Sequence, residues 1–196
     1  SGFDLSGYSL ENANLYGVYG QLKSMADPLP NGYVPLNNYI VGPNVNLAGA
    51  DLSGVNLTGL NISGADLSGA DLTNVYGQLF SYSNDTILSP SYRIEISYIV
   101  GPGVNLSGVN LNGFNLSGIS LANANLYGVY GQLASMPDPL PASYSPINNY
   151  IVGPNVNLVR ADLSGYSLAG LDISGADLSG ADLTNVSGLL GNVTGA

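Results

Sequence analysis

Along most of this chain an apolar residue returns at every fifth position. The clearest run, Ala50 to Leu72, reads Ala-Asp-Leu-Ser-Gly-Val-Asn-Leu-Thr-Gly-Leu-Asn-Ile-Ser-Gly-Ala-Asp-Leu-Ser-Gly-Ala-Asp-Leu. With Leu or Ile as the centre of each unit, centres fall at Leu47, Leu52, Leu57, Ile62, Leu67 and Leu72, then from Leu106 to Leu126 and from Leu158 to Leu183. A second apolar or small residue stands two positions before each centre. A period of five fits neither the 3.6 of a helix nor plain alternation, so the backbone must turn once per unit. The centre and the residue two before it then point inward. The Asp or Asn between them faces out, and the Gly, Ser, Thr or Asn that follow supply the turn.

This A(D/N)LxG pattern resembles the pentapeptide-repeat family, over nearly the whole chain outside three insertions. The resemblance implies an all-β fold, a right-handed quadrilateral β-helix in which four pentapeptides make one coil. Sorting the repeats into every-fourth classes gives chemically distinct faces. One carries Ala13, Ala50, Ala70, Val104, Ala124, Ala161 and Ala181 before Leu centres; the next carries Val18, Val55, Val75, Val109, Val129, Tyr166 and Val186. A third takes the bulky Phe3, Ile40, Leu60, Ile94, Phe114, Ile151 and Leu171. The sorting requires Arg93-Ile94-Glu95-Ile96-Ser97 to be a repeat with Ile94 and Ile96 as its inward pair. The expected body is then a single β-helix over residues 1–188 of about seven coils, roughly 34 Å long at the spacing of stacked strands, with a tail at 189–196.

Three insertions, at about 21–37, 78–91 and 132–148, interrupt the pattern, each leaving at one corner after a Gly at a centre position. The first holds Pro28, Pro30 and Pro35, the third Pro137, Pro139, Pro141 and Pro146. A longer duplication overlies the short one: Ala13 to Leu22 matches Ala124 to Leu133, an offset of 111 residues.

Composition narrows the chemistry. The chain has no Cys and no His, which removes thiolate nucleophiles, disulfides, most transition-metal sites and the usual base near neutral pH. Lys23, Arg93 and Arg160 stand against 13 acidic residues, a net charge of −10, the wrong sign for nucleic acid or anionic lipid. No run of apolar residues is long enough to span a bilayer, and Ser1-Gly2-Phe3-Asp4 does not open a signal peptide, so a soluble chain is expected. The Asn-x-Ser/Thr sequons at Asn56, Asn61, Asn84, Asn105, Asn115, Asn185 and Asn192 follow largely from the repeat itself. No catalytic residue and no cofactor are expected.

Two surface features remain. Twelve of the 14 tyrosines lie in or beside the insertions. Tyr19, Tyr33, Tyr39, Tyr76, Tyr82, Tyr92, Tyr98, Tyr130, Tyr144 and Tyr150 are expected to form a ridge for a protein or glycan partner, or to pin the loops to their neighbours. On the Ala face, Asp51 with Asp71 and Asp162 with Asp182 should stand about 4.8 Å apart, close enough for like-charge coupling to raise one pKa or invite a cation. These four are the only metal candidates, and a solvated ladder is the simpler reading.

The functional expectation is a non-catalytic structural or adhesive module, extracellular or at the cell surface, that associates with itself head to tail into a filament. Phe3 enters the repeat without a capping helix, and an open coil edge invites stacking. Two alternatives stand beside it. One is a segment of a giant repeat adhesin. The other, implied by one branch of the resembling family, is a cytoplasmic acidic DNA mimic that inhibits a type II topoisomerase.

Overall fold

A computed structural model describes residues 2–196; Ser1, the first residue of the expected domain, lies outside the described residues. The chain forms two compact units, one up to Ile99 and the other Val100–Ala196. Both are all-β, without a helix among the described residues.

Each pentapeptide builds one side and one corner of a coil. The N–H three residues after a centre donates back to the centre's carbonyl: Ala50 to Leu47 at 2.9 Å, Val55 to Leu52 at 3.1 Å, Leu60 to Leu57 at 3.1 Å and Ala65 to Ile62 at 3.0 Å. Four such turns bring the chain round, and residues 20 apart meet as parallel bridges: Asn46 with Asp66, Asp51 with Asp71 and Asn56 with Tyr76 in the first unit. The second unit repeats this with Asn105 and Asn125, Asn157 and Asp177, and Asp162 and Asp182. Twenty residues per coil is four pentapeptides, the geometry of a quadrilateral β-helix.

The Asp or Asn before each centre does more than face solvent. Its Oδ1 accepts the N–H two residues on, as Asp51 does from Ser53 at 3.0 Å, Asn56 from Thr58 at 2.9 Å and Asp162 from Ser164 at 3.0 Å. That bond closes an Asx turn and fixes the bend. The corner residue that follows takes positive φ, near 68° at Gly54 and 57° at Asn74. Gly and Asn tolerate this region, which explains their alternation at one position of the repeat.

Inside, Leu52, Leu57, Ile62, Leu67 and Leu72 in the first unit, and Leu106, Leu111, Phe114, Leu116, Leu121 and Leu126 in the second, are each less than 2% exposed. Full burial stabilises each by about 1.5–3 kcal/mol. No buried polar or charged side chain occurs among the described residues, so the core is apolar throughout.

The insertions are where the structure departs from expectation. Their leading residues do not leave the coil. In the first unit Asp4 bridges Ser24, Lys23 donates to Phe3, and Leu10 receives Pro28 as its acceptor at 2.9 Å. In the second, Asn115 bridges Ser135, Ala134 donates to Phe114 at 2.9 Å and Leu121 donates to Pro139 at 2.9 Å. Residues 21–28 and 132–139 therefore form two sides of the next coil. Residues 78–89 behave alike: Asn61 bridges Ser81, and strand β3 (Asp66–Leu67) pairs in parallel with β4 (Ile87–Leu88).

This shifts the expected register across each insertion. Val18 was placed in line with Val55, yet Tyr19 bridges Asn46, and Asn46 donates to Val18 at 2.9 Å. Likewise Val129 was placed in line with Tyr166, yet Asn157 donates to Val129 at 2.9 Å. The Ala and Val faces hold within each run of repeats, as the Asp182 N–H bonded to Ala161 at 2.9 Å shows, but they step sideways at every insertion. The repeats alone therefore do not count the coils.

The rest of each insertion enters a hairpin. Strands β1 (Val34–Leu36) and β2 (Tyr39–Val41) pair antiparallel, as do β7 (Ser145–Ile147) and β8 (Tyr150–Val152). Their two-residue turns, Asn37-Asn38 and Asn148-Asn149, have φ of 47° and 64°, and of 45° and 60°. Two consecutive positive φ values are the signature of a type I′ turn, whose twist matches that of the strands. Strands β5 (Arg93–Glu95) and β6 (Tyr98–Val100) pair in the same way around Ile96-Ser97, with φ of 44° and 67°. The expected repeat at 93–97 is thus a hairpin: Ile94 is half-buried and Ile96 is 51% exposed at the turn. All three turns are held alike, by N–H groups of Leu22, Leu79 and Leu133 donating to Asn38, Ser97 and Asn149, each at 2.8 Å.

Residues 189–196, expected as a tail, continue the coil. Asp172 bridges Asn192, Gly170 donates to Leu189 at 2.7 Å, and Gly175 donates to Thr194 at 2.9 Å. Gly191-Asn192-Val193-Thr194-Gly195 is a repeat in which Gly replaces the inward Ala.

Candidate interaction surface

The tyrosines divide into two kinds. Tyr33 and Tyr144 pin hairpins: their hydroxyls donate to the carbonyls of Pro43 at 3.1 Å and Pro154 at 3.4 Å. Their rings lie over Gly42 and Gly153, where any Cβ would collide with the ring. Tyr92 and Tyr144 are half-buried, and burial first, then the charges of Asp71 and Asp172 respectively, holds each phenol above its ordinary pKa. Tyr98 is also half-buried. These side chains serve the packing of the insertions.

Tyr19, Tyr76, Tyr82 and Tyr130 are the exposed kind, at 80%, 43%, 40% and 43%. Two of them meet half-buried partners. Tyr19 and Tyr39 wall a notch of about 310 Å³ with Gln21, Asn46 and Ala48. Tyr130 and Tyr150 wall another of about 410 Å³ with Gln132, Asn112, Asn157 and Val159. The tyrosines, the glutamine and Asn46/Asn157 correspond one for one at the 111-residue offset. In each unit two of these tyrosines wall a notch beside a hairpin. The sequence reading missed Gln21, Gln132, Asn46 and Asn157. The signal for the glutamines was the thrice-repeated Val-Tyr-Gly-Gln-Leu at 18–22, 75–79 and 129–133, where each insertion begins.

The glutamines anchor the hairpins. Gln21 Nε2 donates to the Asn37 carbonyl at 3.3 Å, and Gln132 Nε2 to that of Asn148 at 3.0 Å. The hairpin tips reach the next coil in turn: Asn37 Nδ2 donates to the Asp51 carbonyl at 3.2 Å, and Asn148 Nδ2 to that of Asp162 at 2.8 Å.

The acidic pairs are adjacent as expected, Asp51 bridging Asp71 and Asp162 bridging Asp182. The expected rise in pKa is not found at Asp51 or Asp162. Bonds from the Ser53 hydroxyl and N–H, and from those of Ser164, hold these carboxyls below the usual value. The hydroxyls donate at 2.7 Å in both cases. Hydrogen bonds to the charged form win over repulsion in open solvent. Among the described residues no group of three or more acidic side chains could hold a metal ion.

Twenty-residue coils, Asx-turn corners and an apolar core define a β-helical repeat protein. The sequence model of pentapeptide repeats matches in 8 copies, over residues 44–74, 103–130 and 155–185, so the chain carries pentapeptide repeats over those stretches. The hairpin-bearing insertions fall outside the matched stretches. No curated protein and no solved structure matches the chain.

Proposed function

We propose that this chain is a non-catalytic interaction module of an extracellular or cell-surface assembly, in which coils of separate copies stack head to tail into a filament. The observation that carries the reading is the ladder between coils: sides stack by parallel bridges such as Asp51 with Asp71 and Asp162 with Asp182, a pairing that a coil of a second copy can continue. Among the described residues no helix is long and apolar enough to cross a membrane.

Negative-stain microscopy across a concentration series tests this. Filaments whose length grows with concentration are expected; dispersed particles of one size at high concentration overturn it. Rods of one fixed length produced only by a longer parent chain favour a segment of a giant repeat adhesin, whose own sequence covers the edges.

A topoisomerase-inhibiting DNA mimic is the second reading, supported by the net charge of −10 and the stacked Asp pairs. Many of the equivalent outward positions are Asn, such as Asn105 and Asn125, which dilutes the charge below that of a duplex. A supercoiling assay with added protein separates the two.

A further inference from the structure

We propose that the two notches walled by Tyr19 and Tyr39, and by Tyr130 and Tyr150, are binding sites for a neutral saccharide. In both, structural bonds fix the polarity of two side-chain amides. Gln132 Nε2 is committed to the Asn148 carbonyl at 3.0 Å, which leaves its Oε1 as an acceptor. Asn157 Oδ1 accepts the Val159 N–H at 3.0 Å, which leaves its Nδ2 as a donor. The first unit repeats the arrangement with Gln21 bonded to Asn37 at 3.3 Å and Asn46 accepting from Ala48 at 2.9 Å.

A pre-set acceptor and donor beside aromatic walls match a sugar hydroxyl, which both donates and accepts, on a ring whose C–H face packs against tyrosine. The amides cannot rotate to suit another pattern without releasing the hairpin or the corner turn. No charged side chain lines either notch, so nothing there neutralises a sulfate, carboxylate or phosphate. Volumes of about 310 and 410 Å³ suit one or two sugar rings. The second notch is the better formed, since Asn112 of the preceding coil joins its wall and Tyr130 is 43% exposed against 80% for Tyr19.

Its test is a glycan array bearing neutral hexose and N-acetylhexosamine oligomers, sialylated and sulfated glycans, and proline-rich peptides, probed with the full chain. Neutral oligomers are expected to bind. The best of them, titrated calorimetrically, is expected to show two sites per chain, the Tyr130→Ala variant losing the tighter by about tenfold or more. The Tyr19→Ala/Tyr130→Ala double variant, altered at two exposed positions, is expected to melt like the parent and lose both sites, and Tyr130→Phe is expected to keep the second. Preference for sulfated or sialylated glycans or for the peptides overturns the proposal. So does the absence of any neutral ligand, or neutral binding that survives in the double variant.

Discussion

Residues 103–130 and residues 132–139 do the same structural work with different sequences. In the first, Leu106 donates to Asn125 at 2.9 Å and Leu111 to Tyr130 at 2.7 Å; in the second, Leu116 donates to Ser135 at 3.1 Å and Leu121 to Pro139 at 2.9 Å. One stretch follows A(D/N)LxG throughout and the other abandons it. The backbone ladder between coils therefore needs only a chain that lies at the right height. The repeat pattern adds an inward Leu and a side-chain-closed corner at every side, whereas the irregular layer keeps an inward Leu and bonds sideways to the coil before it. Leu133 fills the interior at 3% exposure, and Ser135 is bonded through its hydroxyl to Asn115.

Core truncations give the largest effect and the sharpest test of that equivalence. Leu121→Ala removes a fully buried centre and is expected to cost about 2–5 kcal/mol in denaturant unfolding. Leu133→Ala is expected to cost a similar amount, because its side is part of the coil; a loop residue would cost almost nothing.

Next comes Gly153→Ala, whose Cβ meets the Tyr144 ring. It should destabilise the hairpin by about 1–3 kcal/mol, with proteolysis appearing first between residues 140 and 152. Ile96→Asn runs the other way. A β-branched residue at φ 44° is strained, and Asn occupies the equivalent turn position in the other two hairpins. A gain of about 1 kcal/mol is expected, read as a higher Tm.

The smallest effect is the acid limb. Asp4, Asp51, Asp162, Asp172 and Asp177 all have folded-state pKa values below 3.8, each through serine bonds to the carboxylate. Their contribution is whole above 3.8 and disappears as pH falls through the lower folded-state values. Tm should hold from pH 7 to about 4.5 and decline below. The Asp51→Asn variant keeps the Asx turn and should flatten part of that decline.

The repeat, its inward pair and its polar corner were legible because they recur through each run, and most core residues followed from them; Tyr166, at an inward position of the pattern, is instead 42% exposed. The hairpins were not, for a physical reason visible at Ile94 and Ile96. Two apolar residues at spacing two satisfy the inward-pair pattern, and nothing in a five-letter window distinguishes a coil side from a strand entering a tight turn. The deciding signal lay further along, in Tyr-Ile-Val-Gly at 39–42, 98–101 and 150–153, which aligns Ile96-Ser97 with Asn37-Asn38 and Asn148-Asn149. The stacked layers of the insertions left no pattern, since they are held mainly by backbone bonds that any residue can make. The notches were half legible. Their tyrosines stood out, but Gln132 and Asn157 matter through bonds to distant or turn-forming atoms that no spacing rule reveals.

Amide hydrogen exchange read residue by residue tests most directly whether the insertions are built into the coil. The amides of Leu133, Ala134 and Asp138, bonded to Asn149, Phe114 and Ile119, are expected to exchange as slowly as those of Asn125 and Tyr130 in the regular repeats. Exchange at free-loop rates over residues 132–139, beside protected repeats on either side, would contradict the account.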